Sequence, residues 1–360
     1  LKPTVERTLV VVGSYAEAAD AGVYLYEFDE AKEELKLLDQ KSGYKNPTFL
    51  HLDVPRRIVY ALAETAAADG SKASDAVSLT LDASSGRLTE ANRAPAANGP
   101  TCHIQKSADN RYLTLTSYHN GLVSLVALEN DGRIGSMLDE RKHEGKGTHP
   151  ERQDRPHPHS SFYSPDGKYL FVCDLGLDRI RAYTVEGGKL QVHGDTELHP
   201  GAGPRHLAFH PNGAFAFVIN EVDSTITSFR YDAETGSLQK VEHVPTLPAG
   251  YEGENTCAEI AVSGDGRFLY GSNRGHDSIV VYEIDPDSGK LAYIEHVSVQ
   301  GKHPRHFSIL PGGRHLIAAN RDTNNLALFR IDAATGKLTY TGHSVSVSKP
   351  VCVWAGRFEV

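Results

Sequence analysis

The densest potential chemistry in this chain lies where imidazole and guanidinium groups crowd into short segments just ahead of β-rich runs. Residues 155–159 read Arg-Pro-His-Pro-His, 203–206 read Gly-Pro-Arg-His, and 303–306 read His-Pro-Arg-His. Imidazoles titrate near neutral pH, so they can move protons or bind metals. Guanidinium forks hold carboxylates, phosphates or a developing oxyanion through paired, charge-assisted bonds. Two chemistries are therefore open: proton transfer on an anionic substrate, or a metal centre. A metal could use His157 and His159, or His103, His206, Glu259 and His306, as nitrogen and oxygen ligands. The intervening arginines would repel a cation and favour the anion reading. A blander account also stands, in which buried Arg–Glu pairs tie structural units together and the histidines are satisfied core groups.

Nucleophilic and nucleotide chemistries find little support. The sequence has no G-x-S-x-G elbow for a serine nucleophile. Gly201-Ala202-Gly203 precedes a predicted strand instead of opening a helix, so it is not a dinucleotide fingerprint. The four cysteines, Cys102, Cys173, Cys257 and Cys352, are far apart and form no C-x-x-C pair. They are expected to be reduced and buried, as in a cytoplasmic protein.

The elements that must position these groups form a repeat. After each segment comes an alternating apolar run, a tight turn and a second β-rich run, as in Ser-Pro-Asp-Gly at 164–167 and His-Pro-Asn-Gly at 210–213. A third and a fourth β-rich run follow. Clear copies start at 155, 203, 255 and 303, and looser ones near Asn46 and Gly99, where Val-Pro-Arg-Arg and Ser-Ala-Asp-Asn occupy the turn. The spacing matches the roughly 40–50-residue period of propeller blades. Three N-terminal strands, at 8–15, 22–28 and 35–40, lack a partner that 350–355 can supply.

The expected fold is therefore all-β: a single seven-bladed β-propeller over residues 1–360, built of four-stranded antiparallel blades. Residues 8–40 plus 350–356 form the closing blade, which removes exposed sheet edges. The Ala-rich 66–76 segment contains Gly70 and no apolar period, and reads as a loop. The polar stretch 141–157 is the longest departure from the repeat, and reads as a lid, a pocket wall or a solvated excursion.

In each blade the first strand leaves one face of the disc and the second returns to it, so strand starts and second-strand ends share a rim. The starts carry His103, His157, His159, Arg205, His206, Glu259, Arg305 and His306; the ends carry Tyr118, Glu221, Arg274 and Arg321. Arg205 and Glu221 fall on opposite arms of one hairpin. Such a basic rim stands out in a chain of net charge −9 and pI near 6.1, a balance that argues against a general nucleic-acid binder. No apolar run approaches the roughly 18 residues of a membrane helix.

The stretches RPHPHSSFYSPDGKYLFVCDLGLDRI, GPRHLAFHPNGAFAFVINE and GSNRGHDSIVVYEID resemble the lactonase family of seven-bladed propellers, over almost the whole chain. This family includes bacterial 6-phosphogluconolactonases and fungal 3-carboxy-cis,cis-muconate lactonizing enzymes. The resemblance implies a cofactor-free, metal-free site at one channel mouth, with its polar groups on His157, Arg205, Glu221 and Arg274. It implies a small anionic lactone as substrate, with hydrolysis of 6-phospho-D-glucono-1,5-lactone favoured and muconate cyclisation as the alternative. A non-enzymatic propeller that binds an anionic metabolite or a protein at the same mouth is the reading from another class. For hydrolysis, His157, or Glu221 in its place, is expected to transfer protons, while Arg205 and Arg274 hold the anion or oxyanion and Glu221 orients Arg205. His103, His159, His206, His306 and Arg321 are expected as further substrate contacts. A monomer and a dimer are both compatible with the sequence.

Overall fold

Each clear repeat turns where the sequence places a glycine in the left-handed region. In Ser164–Gly167 the Gly167 amide donates to the Ser164 carbonyl at 2.8 Å with φ at 73°, a conformation that costs glycine little. The looser copies close the same turn with Arg57 and Asn110, at φ 55° and 62°. The turn thus survives where its usual glycine is missing.

The computed structural model describes residues 3–360. Their 28 strands form seven four-stranded antiparallel sheets, with no helix among the described residues. Six sheets are sequential, spanning residues 50–97, 103–142, 158–197, 204–245, 256–298 and 304–346. The seventh joins Pro350–Glu359 to Glu6–Ser14, followed by Val23–Asp29 and Glu34–Lys41. Val10 pairs with Ala355 and Val12 with Val353, so the two ends of the chain are held in one ladder. The innermost strands contact one another in order around the axis, and Pro350–Glu359 touches both Pro304–Ile309 and Leu50–Asp53. Closure of the ring leaves only the outer strands as edges.

Apolar residues of neighbouring blades fill the space between sheets. Phe215, Phe217, Ile219 and Leu269 pack with Val280 and Tyr282 in one such layer, all buried. Burying a large apolar side chain contributes about 1.5–3 kcal/mol, and these layers recur around the ring.

Two local details differ from expectation or refine it. Residues 66–76 are not a loop: the strand Ile58–Ala66 pairs with Lys72–Asp82 up to the Ala66–Lys72 partners, and only 67–71 turn. Alanine carries little β preference, so its alternation is hidden in the sequence, and long-range pairing decides the matter. The 143–157 segment is pinned to the blade that follows it. His143 is buried, with Nδ1 on Asp174 Oδ2 at 2.6 Å and Nε2 on the Tyr183 hydroxyl at 2.7 Å. Buried Gln153 donates to the Leu175 carbonyl at 2.9 Å and to Asp178 Oδ1 at 2.6 Å.

Candidate active site

The inner strands of three blades carry a register break at one position. Pro158 pairs with Asp174 but Ser160 with Cys173, Pro204 with Asn220 but His206 with Ile219, and Pro304 with Asn320 but His306 with Ala319. The extra residues are His159, Arg205 and Arg305. A bulge leaves its extra residue out of the ladder and re-aims the side chain, which frees these three groups from the strict alternation of the strand. The blade that starts at Thr256 has a wider break between Cys257 and Ile260, which contains Glu259.

Two of these residues, His159 and Arg305, line a cavity of about 300 Å³ at the channel mouth, near the lower end of the size range for small-molecule sites. Its walls include Tyr15, Glu64, Cys102, Tyr118, His119, Arg152, His159, Glu221, Arg274 and Arg305. A larger depression of about 790 Å³ adjoins it and shares Tyr15 and Asn46. The buried ionisable groups converge on the smaller one, which is the chemically organised site.

Glu221 is its electrostatic centre. Its Oε1 accepts from Arg205 Nε at 3.0 Å and Arg274 Nη2 at 2.5 Å, and its Oε2 is paired with Arg152. Burial would raise its pKa, but the charges of Arg274, Arg205 and Arg152 outweigh that and bring it down to about 2. It is thus an ionised carboxylate that holds three arginines. Arg205 is fully buried behind it, its Nη1 donating to the Ala258 carbonyl at 2.9 Å and to His206 Nε2 at 3.3 Å. Burial, with Arg274 and Arg305 nearby, pushes Arg205 down to about 9, still charged at neutral pH. Arg274 and Arg152 themselves line the cavity.

The channel histidines separate into two layers. His159 lines the cavity, and its Nδ1 is buried without a hydrogen-bond partner among the described residues. Burial first, then Arg205, His206 and Arg305, hold it well below the usual imidazole range, so it is neutral at neutral pH. Deeper in the channel, His206 Nδ1 donates to Glu259 Oε1 at 2.9 Å and His306 Nε2 to Glu259 Oε2 at 2.5 Å. The other nitrogen of each ring accepts a hydrogen bond, from Arg205 and from the Val353 amide respectively. Their lone pairs therefore do not converge on a common point. His103 lies beside them against Phe49, ring centroids 4.3 Å apart, and the Phe49 ring also meets those of His206 and His306 edge to face.

His157 lies outside the cavity. Its ring stacks on Tyr118, centroids 4.0 Å apart, and Nδ1 donates to the Tyr118 carbonyl at 2.7 Å, while Nε2 faces Asp154 at 3.5 Å. Arg321 is likewise peripheral, bonded to Asp322 at 2.8 Å and bordering the larger depression.

Of the groups expected from the sequence, the fold brings Arg205, Glu221, Arg274 and His159 together. His103, His206 and His306 sit beneath them, and His157 and Arg321 stand at the edge. Cys102 also lines the cavity, but burial pushes its thiol pKa up, away from the reactive thiolate. Sequence reasoning did not single out Arg152, because nothing in a polar loop marks the one residue that folds back. Arg305 carried a signal: it follows Pro304 as Arg205 follows Pro204.

A family model described as "Lactonase, 7-bladed beta-propeller" matches residues 9–355. A 6-phosphogluconolactonase of Bacillus subtilis (strain 168) is 35% identical over 301 residues, which cover 83% of this chain and 84% of that one. A solved periplasmic gluconolactonase of Pseudomonas aeruginosa superposes with a TM-score of 0.91 at 31% identity, over 98% of this chain and 99% of that one. A solved protein of Lactobacillus plantarum gives 0.89 at 30% identity, over 97% and 99%. With the repeat, the closed ring and a match over nearly its full length, the chain belongs to the seven-bladed β-propeller lactonases.

Proposed function

We propose that this lactonase hydrolyses a phosphorylated sugar lactone, 6-phospho-D-glucono-1,5-lactone, to 6-phosphogluconate. The observation that carries the reading is the cavity wall itself, where arginines outnumber carboxylates beside the neutral imidazole of His159. Ester hydrolysis requires an activated water, a stabilised oxyanion and a proton for the leaving oxygen. His159 accepts the proton as water attacks the lactone carbonyl carbon. Arg274, held by Glu221 and by the Cys257 carbonyl at 2.6 Å, faces the oxygen on which negative charge develops. Collapse of the tetrahedral intermediate breaks the bond to the ring oxygen, which takes the proton back from the His159 imidazolium. Arg205 does not reach the substrate; it fixes Glu221 and through it Arg274. His157 acts through Tyr118, whose ring it backs.

The two relatives named as lactonases differ by name in the phosphate of their substrate, and the surplus of cavity arginines supports the phosphorylated one. A cytoplasmic setting is part of the same proposal, supported by four cysteines that are all free. The test is timed hydrolysis of freshly generated 6-phosphoglucono-δ-lactone, corrected for spontaneous ring opening, beside glucono-δ-lactone and 3-carboxy-cis,cis-muconate. A higher kcat/KM on the phosphorylated lactone is expected. No acceleration over spontaneous opening, or cyclisation of the muconate instead, would overturn it.

A further inference from the structure

Of the three bulged residues, two have duties already: His159 lines the cavity at the reacting centre and Arg205 is locked to Glu221. Arg305 has none. Among the described residues its guanidinium forms no ion pair and no hydrogen bond, yet it lines the cavity and is only partly exposed. What holds it is an aromatic face. Its Cζ lies 5.3 Å from the centroid of the Tyr15 ring, and Arg321 approaches the same ring at 5.8 Å. A ring face attracts a cation without occupying its N–H donors, so Arg305 is oriented while all its hydrogen-bonding capacity stays available. The other cavity arginines, Arg152 and Arg274, are each committed to Glu221. An uncompensated, partly desolvated guanidinium is costly to keep, and here nothing in the fold uses it.

We infer that Arg305, oriented by Tyr15, is the receptor for the acid group at the far end of the substrate, and that it sets the preference for a phosphorylated lactone. Tyr15, which orients Arg305, stands at the border that the cavity shares with the larger depression. A lactone whose carbonyl meets Arg274 can therefore direct its phosphate outward to Arg305, with Arg321 adding longer-range attraction. The fork offers paired N–H donors to two phosphate oxygens, a geometry that a lysine ammonium lacks.

This inference rests on the phosphorylated-lactone reading, and the experiment separates the two. Wild type, Arg305→Met, Arg305→Lys and Tyr15→Leu are assayed on 6-phosphoglucono-δ-lactone and on glucono-δ-lactone, with inhibition by 6-phosphogluconate measured in parallel. Arg305→Met is expected to lower the ratio of the two kcat/KM values by about 100-fold, chiefly through KM on the phosphorylated lactone, and to weaken the inhibition by a similar factor. Arg305→Lys should recover part of the ratio, and Tyr15→Leu should lower it by about tenfold. If wild type shows no preference for the phosphorylated lactone, the substrate reading itself fails. If wild type prefers it and Arg305→Met keeps that preference, or loses activity equally on both lactones, the assignment of Arg305 alone is overturned. Near-ultraviolet circular dichroism of each variant reports whether the fold is retained.

Discussion

Two carboxylates on adjacent blades, Glu221 buried and Glu259 slightly exposed, stand one layer apart in the same channel, and they are balanced in opposite ways. Glu221 at the mouth is paired with Arg152, Arg205 and Arg274; Glu259 below it is paired with His206 and His306. These guanidinium groups stay charged at neutral pH, so the upper cluster keeps a fixed field, as transition-state stabilisation requires. The lower imidazoles are neutral donors whose other nitrogens are occupied, so that layer is a hydrogen-bonded floor. Burial holds His206 down at about 4 even with Glu259 beside it. The contrast shows how one fold separates a permanent electrostatic site from a titratable support.

The largest expected effect tests the upper cluster. Glu221→Gln leaves three guanidinium groups facing a neutral amide and should cost about 3–5 kcal/mol in urea unfolding, with loss of most lactonase turnover. Glu259→Gln keeps a hydrogen-bonding group between neutral imidazoles and should cost about 1–3 kcal/mol. The contrast breaks if Glu259→Gln proves the more damaging of the two.

Next in size is the division of labour between imidazoles. His159→Asn should reduce kcat by about 1,000-fold, and His157→Asn by roughly tenfold through a loosened Tyr118. A larger loss for His157→Asn would return the proton-transfer role to it. With His159 held well below 6.5, the acid limb of the kcat/KM profile should also fall well below that value.

A smaller effect concerns acid stability, where the two layers should act in different windows. A histidine whose folded pKa is depressed binds its proton in the unfolded chain first, so stability falls as pH drops from the unfolded value of 6.5 toward the folded one. His206 at about 4 and His51 at about 3 are such groups, both buried. Each should remove about 1.4 kcal/mol per pH unit within its window. Glu221 contributes stability above the unfolded carboxyl value of 4.5 and loses it as pH falls through about 2. The urea midpoint should therefore decline already between pH 6.5 and 5, and His206→Gln should flatten that slope. A midpoint that stays level in wild type over this range contradicts the assignment.

The smallest effect belongs to Arg152, which is partly exposed and reaches Glu221 from the loop. Arg152→Met should change stability by no more than about 1 kcal/mol and raise KM severalfold. An unchanged KM would reduce the 143–157 segment to a structural strap.

The glycine-punctuated turns, the alternating runs and the 40–50-residue period already specify the blade, because those signals are local and each repeat states them again. Closure was legible too: three orphan strands at one end and one at the other complete a sheet only by pairing with each other. The sequence also places Arg205, Glu221 and Arg274 on one rim, since strand direction alone puts the starts and ends of a hairpin at the same face. It could not place the nitrogen of each histidine. One bulge decides that His159 opens on the cavity while His157, two residues earlier, stacks behind Tyr118. Nor could it show that Arg152 folds back onto Glu221 or that Arg305 stays unpaired among the described residues. Local pattern and periodicity determine the strand and its face, whereas contacts between residues dozens of positions apart exist only once the ring has closed.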